Sequence, residues 1–261
     1  MADYDQFIAK VHDKTGIDLQ LYKEQQMRRR LTSLRNKRGY ATFAQYFDAM
    51  VKDATLMKEF LDRMTINVTE FYRNPKRWNV LQEKIIPKLT DGKHQIKIWS
   101  AACSTGEEPY SLAIMLKEYF PQLRVTILAT DLDDEALRRA KEAKYAAIAL
   151  KDLPNELKKK YFTYKNNVYE LNRDIRSMVT FKKHNLLHDM YPANNDLIVC
   201  RNVVIYFTDE AKAQVYKSFS EALVSNGVLF VGSTEQIFQP STYGFKILDT
   251  FFYEKQSSYT T

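Results

Sequence analysis

Apolar residues recur at helical spacing through the first 64 positions, and little there reads as strand. Leu21, Met27, Leu31 and Leu34 follow a helical period, and Gly39 stands where a left-handed cap would end that helix. Two more helical patterns cover Phe43 to Met50 and Leu56 to Met64. Residues 1–75 therefore read as a small all-α domain, followed by a linker helix over 76–94.

From Gln95 the period changes. Ile96 to Ala102 is an apolar run, Pro109 to Phe120 is amphipathic, Val125 to Asp131 is apolar again, and Glu135 to Lys144 is amphipathic. This β-α-β-α order predicts an α/β domain with a doubly wound, mostly parallel sheet over 95–261. It resumes with a strand at Asp196 to Cys200, a helix from about Asp209 to Leu223, a strand at Val228 to Val231, and a last pair near Phe245 and Phe251 to Tyr253. Between them, residues 145–183 are less regular. Tyr161 to Tyr164, Val168 to Leu171 and Met178 to Phe181 flank Asn166-Asn167, so this part reads as an inserted β-subdomain with hairpin character.

The loop Ser100-Ala-Ala-Cys-Ser-Thr-Gly-Glu-Glu-Pro109 joins the first strand to its helix, where doubly wound folds bind ligands. With one glycine and no lysine it is neither a dinucleotide fingerprint nor a phosphate-cradling loop. Glu107 and Glu108 beside the helix start would repel a pyrophosphate and favour a cation. Asp131, twenty-five residues after Gly106, ends the next strand, from which a carboxylate can hold both ribose hydroxyls. A cationic nucleoside without phosphate is S-adenosylmethionine. Singly, the two glutamates could merely cap a helix and Asp131 merely begin a turn; their joint spacing favours the cofactor.

Composition narrows the class further. The 261 residues are 45% hydrophobic, 27% charged and 13% aromatic, a globular balance that excludes a disordered chain. No stretch approaches the roughly 18 apolar residues of a membrane span. The start lacks a signal peptide, and two distant cysteines suit a reducing compartment, so the expected location is cytoplasmic. Cys103 and Cys200 read as packing thiols. His184 and His188 lack a third ligand, so no metal is expected.

The net charge of +7 is uneven: residues 1–78 hold 15 basic and 10 acidic side chains, and between 20 and 40 seven cations face only Glu24. Arg28 and Arg35 fall on one flank of that helix's apolar stripe, Arg30 and Lys37 on the other. This is either an ordinary solvated face or a docking surface for an acidic partner.

Five segments in fixed order resemble the chemotaxis receptor methyltransferases, the CheR family. They are Met64-Thr-Ile-Asn-Val-Thr-Glu-Phe-Tyr-Arg73, Trp99-Ser-Ala-Ala-Cys-Ser-Thr-Gly-Glu-Glu-Pro-Tyr-Ser111, Ala129-Thr-Asp-Leu-Asp133, His184-Asn-Leu-Leu187 and Cys200-Arg-Asn-Val-Val-Ile-Tyr-Phe207. The resemblance covers nearly the whole chain. It implies a Rossmann-like methyltransferase sheet, S-adenosylmethionine as cofactor with S-adenosylhomocysteine as product, and glutamate side chains of methyl-accepting chemotaxis receptors as substrate.

By this resemblance Asn67, Thr69, Arg73 and Glu108 contact the cofactor, Asp131 holds the ribose, Asn185 and Leu186 flank the adenine, and Cys200 with Arg201 complete the pocket. Arg73 and Tyr206 lie beside the methyl group and the incoming carboxylate. Without it, Tyr206 reads rather as an aromatic closing the core beside Phe207. The resemblance also makes Arg28, Arg30, Arg35 and Lys37 a receptor-docking set and implies a monomer recruited to membrane receptor arrays, without nucleic acid and without membrane insertion. The short, glycine-free turn at Asn166-Asn167 departs from members that grip a receptor tether. Competing readings are a nucleic-acid N-methyltransferase and a non-catalytic receptor-binding adaptor. The strand end at Cys200 to Tyr206 lacks the Asn/Asp-Pro-Pro-aromatic signature of the first, and the intact loop, Asp131, Arg73 and Tyr206 argue against the second.

Overall fold

A computed structural model describes residues 2–65 and 69–257. The chain divides into two units, residues 1–67 with 205–213, and residues 68–204 with 214–261.

The first unit holds helices α1 (Ala2–Thr15), α2 (Glu24–Lys37), α3 (Phe43–Lys52) and α4 (Ala54–Met64). Helix α2 starts later than the apolar period suggests, because Leu21 belongs to a separate 3-10 turn, Leu19–Leu21. It ends as expected. Gly39 is left-handed at φ 79, its N–H donates to the Asn36 carbonyl and that of Tyr40 to Arg35, so the last carbonyls of the helix are satisfied. Phe7 is buried among Phe43, Tyr46, Phe47 and Phe60, with its centroid 4.8 Å from that of Phe43. Burying one such ring contributes about 2 to 3 kcal/mol. Asp3 of α1 caps α3, accepting from the N–H groups of Phe43 (2.8 Å) and Ala44 (3.1 Å). Residues 205–208 are stitched into this unit: the Lys23 N–H donates to the Tyr206 carbonyl, that of Thr208 to Leu21, and Tyr22 bridges Phe207.

The second unit opens with α5 (Pro75–Val80), which runs through a π turn (Leu81–Ile85) into α6 (Ile86–Leu89). The wide turn falls just before Pro87, whose ring would crowd an ordinary helix and which has no N–H to donate. There follow β1 (Gln95–Ala101), α7 (Glu107–Tyr119), β2 (Arg124–Asp131), α8 (Asp134–Glu142), β3 (Lys144–Tyr145), α9 (Asn155–Tyr161), β4 (Phe162–Lys165), β5 (Val168–Leu171), α10 (Arg173–Arg176), β6 (Val179–Lys183), β7 (Asn195–Cys200), α11 (Asp209–Ala222), β8 (Leu223–Val231), β9 (Phe245–Asp249) and β10 (Phe252–Lys255). Seven strands form the main sheet in the order β6-β2-β1-β7-β8-β10-β9, parallel as far as β8. Helix α7 is buried along ten residues, and Trp99, Ile98, Leu197 and Phe230 lie fully inside, as strands covered on both faces require.

The hairpin β4–β5 forms as the Asn-Asn signal predicts. Asn166 and Asn167 both take positive φ, 52 and 61, and the pair joins β3 in a small sheet of its own. Met178 to Phe181 is different: β6 leaves the insertion and pairs parallel with β2, from Ile127 opposite Val179 to Asp131 opposite Lys183. The reason lies in packing. Phe181 meets Tyr110 of α7 at 5.5 Å, a contact with a helix some seventy residues earlier that no local pattern encodes. Among the described residues, no helix is long and apolar enough to cross a membrane.

Candidate active site

Strands β1 and β7 are neighbours, yet the chain leaves β1 toward β2 and leaves β7 toward β8 on the opposite side. Their carboxyl ends therefore open a switch-point crevice. The loop after β1 is shaped for close approach: Ala102, Ser104 and Gly106 all take positive φ (58, 49 and 94). A side chain at Gly106 would start 3.0 Å from the Ala140 Cβ and 3.2 Å from the Tyr145 hydroxyl, so only glycine fits. The loop is anchored by the Cys103 N–H on the Thr130 carbonyl and by the Tyr145 hydroxyl on that of Thr105.

Asp131 ends β2 beside this loop. Its Oδ2 accepts the Ser104 N–H at 2.7 Å and its Oδ1 that of Asp133 at 2.9 Å, so it braces the loop's left-handed backbone. Each carboxylate oxygen accepts more than one hydrogen bond, so the side chain keeps capacity for a diol. Burial pushes it up to about 6, opposed by the amides it accepts from.

Glu108 is buried at the start of α7 and accepts from the Ser100 hydroxyl at 2.8 Å. Arg201, at the end of β7, comes within 3.9 Å of its Oε2. That is too long for a hydrogen bond, and desolvation outweighs the attraction for both partners: Glu108 is pushed up to about 7 and Arg201 down. Glu107, holding the Thr105 hydroxyl at 2.7 Å, is likewise raised by burial to about 7. Three buried carboxylates at the mouth of one crevice, with the Arg201 Nε buried and unpartnered, suit a ligand carrying positive charge and hydroxyls. In charge and hydrogen-bonding capacity the residues thus fit S-adenosylmethionine.

Arg73 rests on a backbone held from several sides. The Phe71 N–H donates to Ala149 and the Tyr72 N–H to the Ser111 hydroxyl at 3.1 Å. The Arg73 carbonyl accepts both the Trp78 indole N–H (3.1 Å) and Arg201 Nη2 (2.7 Å). Tyr72 and Asn74 on either side are left-handed, at φ 54 and 63, a strain of about 1 kcal/mol or more each. The Arg73 charge is felt by both Glu108 and Arg201.

Asn185 and Leu186 follow β6 on a loop brought to Asp131 by the His184 N–H, which donates to the Asp131 carbonyl at 2.9 Å. Leu186 is buried, and its carbonyl accepts the Tyr191 hydroxyl; the Asn185 side chain accepts the Leu187 N–H. Cys200, the last residue of β7, is fully buried, as is Cys103, and burial pushes both thiols up, which makes them inert packing groups. Thr69 is half-buried at the start of the segment leading to Arg73, and Asn67 lies outside the described residues. The second unit thus brings together Arg73, Glu108, Asp131, Asn185, Leu186, Cys200 and Arg201.

Tyr206 belongs to the first unit with Arg28, Arg30, Arg35 and Lys37. Arg28 lies over the Tyr4 ring and Arg35 over that of Phe43, whereas Arg30 lies over Tyr206. His184 and His188 turn to different partners, the Met190 carbonyl and Asp189. Among the described residues, no group of three His, Cys, Asp or Glu is placed to hold a metal ion.

Two buried polar residues escaped the sequence reading. Ser100 supplies the hydroxyl on Glu108, and its place at the end of an apolar strand is the signal that could have found it. Glu235 accepts the N–H groups of Asn202, Val203 and Gly232. It sits in an ordinary-looking turn, and nothing local announces its burial.

Comparison with known proteins gives one answer. The model of the CheR methyltransferase all-alpha domain matches residues 2–65, and that of the CheR methyltransferase SAM binding domain matches 67–251. A chemotaxis protein methyltransferase of Listeria innocua is 44% identical over 254 residues, 97% of each chain. One from Borreliella burgdorferi is 35% identical across 90% of this chain and 88% of its own. Chemotaxis protein methyltransferase 2 of Vibrio cholerae is 32% identical across 90% and 85%. The chain belongs to the CheR methyltransferase family and is an S-adenosylmethionine-dependent methyltransferase.

Proposed function

We propose that this enzyme methylates glutamate side chains of methyl-accepting chemotaxis receptors, giving glutamate methyl esters and S-adenosylhomocysteine, and so serves adaptation in chemotaxis. The observation that carries this reading is the crevice of buried Glu108, Asp131 and Arg201 beside a rigidly held Arg73. Its support from relatives is their name. S-adenosylmethionine supplies, when bound, a methyl group already activated on a sulfonium.

A glutamate with an ordinary pKa near 4.3 is ionised at neutral pH, so the attacking carboxylate needs no general base. No His–carboxylate pair is required. What remains for the chain's residues is orientation and exclusion of water, which can contribute about 7 to 11 kcal/mol. Arg73 presents a planar fork that matches a carboxylate, and its backbone, pinned at the carbonyl and flanked by two left-handed residues, spends little freedom in doing so. Tyr206 donates a hydroxyl that orients the same carboxylate. Glu108 takes the cationic end of the cofactor, Asp131 the ribose hydroxyls, Asn185 and Leu186 the adenine, with Asn67 and Thr69 completing the site from the linker side. The basic helix α2 docks an acidic receptor helix, and the enzyme works as a monomer recruited from the cytoplasm to receptor arrays.

One assay tests this. Receptor-containing membranes are incubated with the enzyme and methyl-labelled S-adenosylmethionine, then treated with mild base. Release of volatile labelled methanol is the expected result. Base-stable label would point to N-methylation and overturn the ester, and absence of any transfer would leave a receptor-binding adaptor.

A further inference from the structure

Glu235 is buried at 3% exposure in the turn after β8, and both its oxygens are spent on backbone. Oε2 accepts the N–H groups of Asn202 at 2.5 Å and Gly232 at 2.8 Å, and Oε1 accepts that of Val203 at 2.7 Å. Its own N–H closes the turn on the Gly232 carbonyl at 3.0 Å. The carboxylate therefore ties the end of β8 to the loop that leaves β7. Two independent features show a built arrangement. A Cβ on Gly232 would stand 2.5 Å from Glu235 Oε2 and 2.9 Å from the Asn202 nitrogen, so the carboxylate reaches those amides only because the residue beneath it is glycine. Asn202 is left-handed at φ 64, a conformation held by the hydrogen bond its N–H makes to Glu235.

The residue before Asn202 is Arg201. Its guanidinium lies over the Phe230 ring at 4.8 Å, donates to the Arg73 carbonyl at 2.7 Å and faces Glu108 at 3.9 Å. A buried, nearly rigid side chain is aimed by its backbone. If Asn202 and Val203 lose their acceptor, two partly buried N–H groups are orphaned and the loop must move to rehydrate them. Arg201 then leaves both Arg73 and Glu108.

We propose that Glu235 is a positioning residue for the cofactor site: it touches neither cofactor nor substrate, and it sets the loop 201–203 so that Arg201 joins Glu108 to the Arg73 backbone. Its effect falls on cofactor affinity more than on the chemical step. The inference rests on the crevice being the cofactor site and is independent of which carboxylate receives the methyl group.

The test uses full-length wild type, Glu235→Gln, Glu235→Asp, Gly232→Ala and the Gly232→Ala/Glu235→Gln double variant. Binding of S-adenosylhomocysteine is measured by titration calorimetry, folding by thermal melts, and turnover by kcat and KM for the cofactor. Glu235→Gln, with one acceptor oxygen in place of two, is expected to weaken binding at least tenfold and raise KM similarly, with kcat at saturating cofactor down less than threefold. Glu235→Asp should recover part of the affinity. Gly232→Ala should reproduce the defect through the displaced carboxylate. The double variant should be no more than about twofold worse than the weaker single one, because both break one clamp. Binding by Glu235→Gln within twofold of wild type would overturn the proposal. So would a fall in kcat with KM unchanged, or Gly232→Ala and Glu235→Gln defects that multiply. Should Glu235→Gln fail to fold, Gly232→Ala alone decides, by the same affinity criterion. Wild-type binding without methyl transfer to receptors would sink the proposed substrate and leave the clamp standing.

Discussion

Arg30 lays its guanidinium over the ring of Tyr206, 5.6 Å to the centroid, while its Nη1 donates to the Met64 carbonyl at 3.2 Å. Burial pushes its pKa down, with Tyr206 opposing. An arginine committed in this way has little fork left for a docking partner. Arg30→Ala is therefore expected to lower kcat by about twofold to fivefold, through a loosened Tyr206, an interaction worth about 0.5 to 1 kcal/mol. The salt dependence of KM for receptor should stay at the wild-type slope. A change in KM and its salt slope with kcat intact would return Arg30 to the docking set.

Arg73→Ala should abolish most turnover, by about a hundredfold or more at saturating cofactor, since orientation of the carboxylate is the main task left to the protein. Tyr206→Phe keeps the ring over Arg30 and loses one hydrogen bond, so a reduction of about tenfold or less is expected. Single-turnover methyl transfer measures both. Near-normal transfer by Arg73→Ala would remove that residue from the reaction.

Much of this site is legible in the chain because it rests on local rules. The loop after β1 needs a glycine at φ 94, Asp131 closes an apolar strand, and Asn166-Asn167 makes a two-residue turn; each is a short-range demand that a sequence displays. The unread parts depend on distant partners. β6 looks like any short strand until Phe181 finds Tyr110, and Glu235 looks like a surface turn until three amides from two segments converge on it. Tyr206 follows a sheet strand by six residues yet groups with the N-terminal helices, because Lys23 and Leu21 pair with the backbone around it.

The pH dependence follows from the same burial. Asp131 is raised to about 6, and Glu107 and Glu108 to about 7, in each case chiefly by desolvation. A folded pKa above the unfolded one means the native state holds more protons, so these groups make the ligand-free protein less stable as pH rises from about 4 to 7. Each is worth about 3 kcal/mol at most on the scale of 1.36 kcal/mol per unit. A cationic ligand needs them ionised, so cofactor affinity should rise over that same window. Melts with and without S-adenosylmethionine at pH 5.5, 6.5 and 7.5 should diverge: the free Tm falls and the ligand-induced increment grows. A ligand increment that shrinks with pH would place the cationic end elsewhere.

Gly106→Ala puts a Cβ at 3.0 Å from Ala140 and forces alanine to φ 94. The left-handed backbone alone costs about 1 to 2 kcal/mol. The Tm should drop by several degrees, and cofactor affinity should fall with it because the same loop carries Ser104, the donor to Asp131. Scanning calorimetry paired with a binding titration checks both, and a variant with wild-type Tm would show that the loop relaxes freely.

Arg28 and Arg35 carry the docking test. They lie on one flank of α2, over Tyr4 at 4.9 Å and Phe43 at 4.6 Å, and Arg28 also pairs with Glu24. The stacking fixes where the guanidinium carbon sits without neutralising its charge, so each half-buried side chain still projects positive potential from the helix face. Reversing both to glutamate swings that face by four charges toward negative. Against an acidic receptor helix the expected result is a rise in KM of about tenfold at low salt, mostly through slower association, and a shallower salt dependence because fewer opposite charges remain to be screened. The kcat should hold. Loss of the stacking adds a Tm decrease of a few degrees, since each cation–π contact contributes about 0.5 to 1 kcal/mol, and Arg28→Gln/Arg35→Gln separates the two effects by removing charge without adding its opposite. Kinetics unchanged in both double variants at low ionic strength would make the basic helix an ordinary solvated surface.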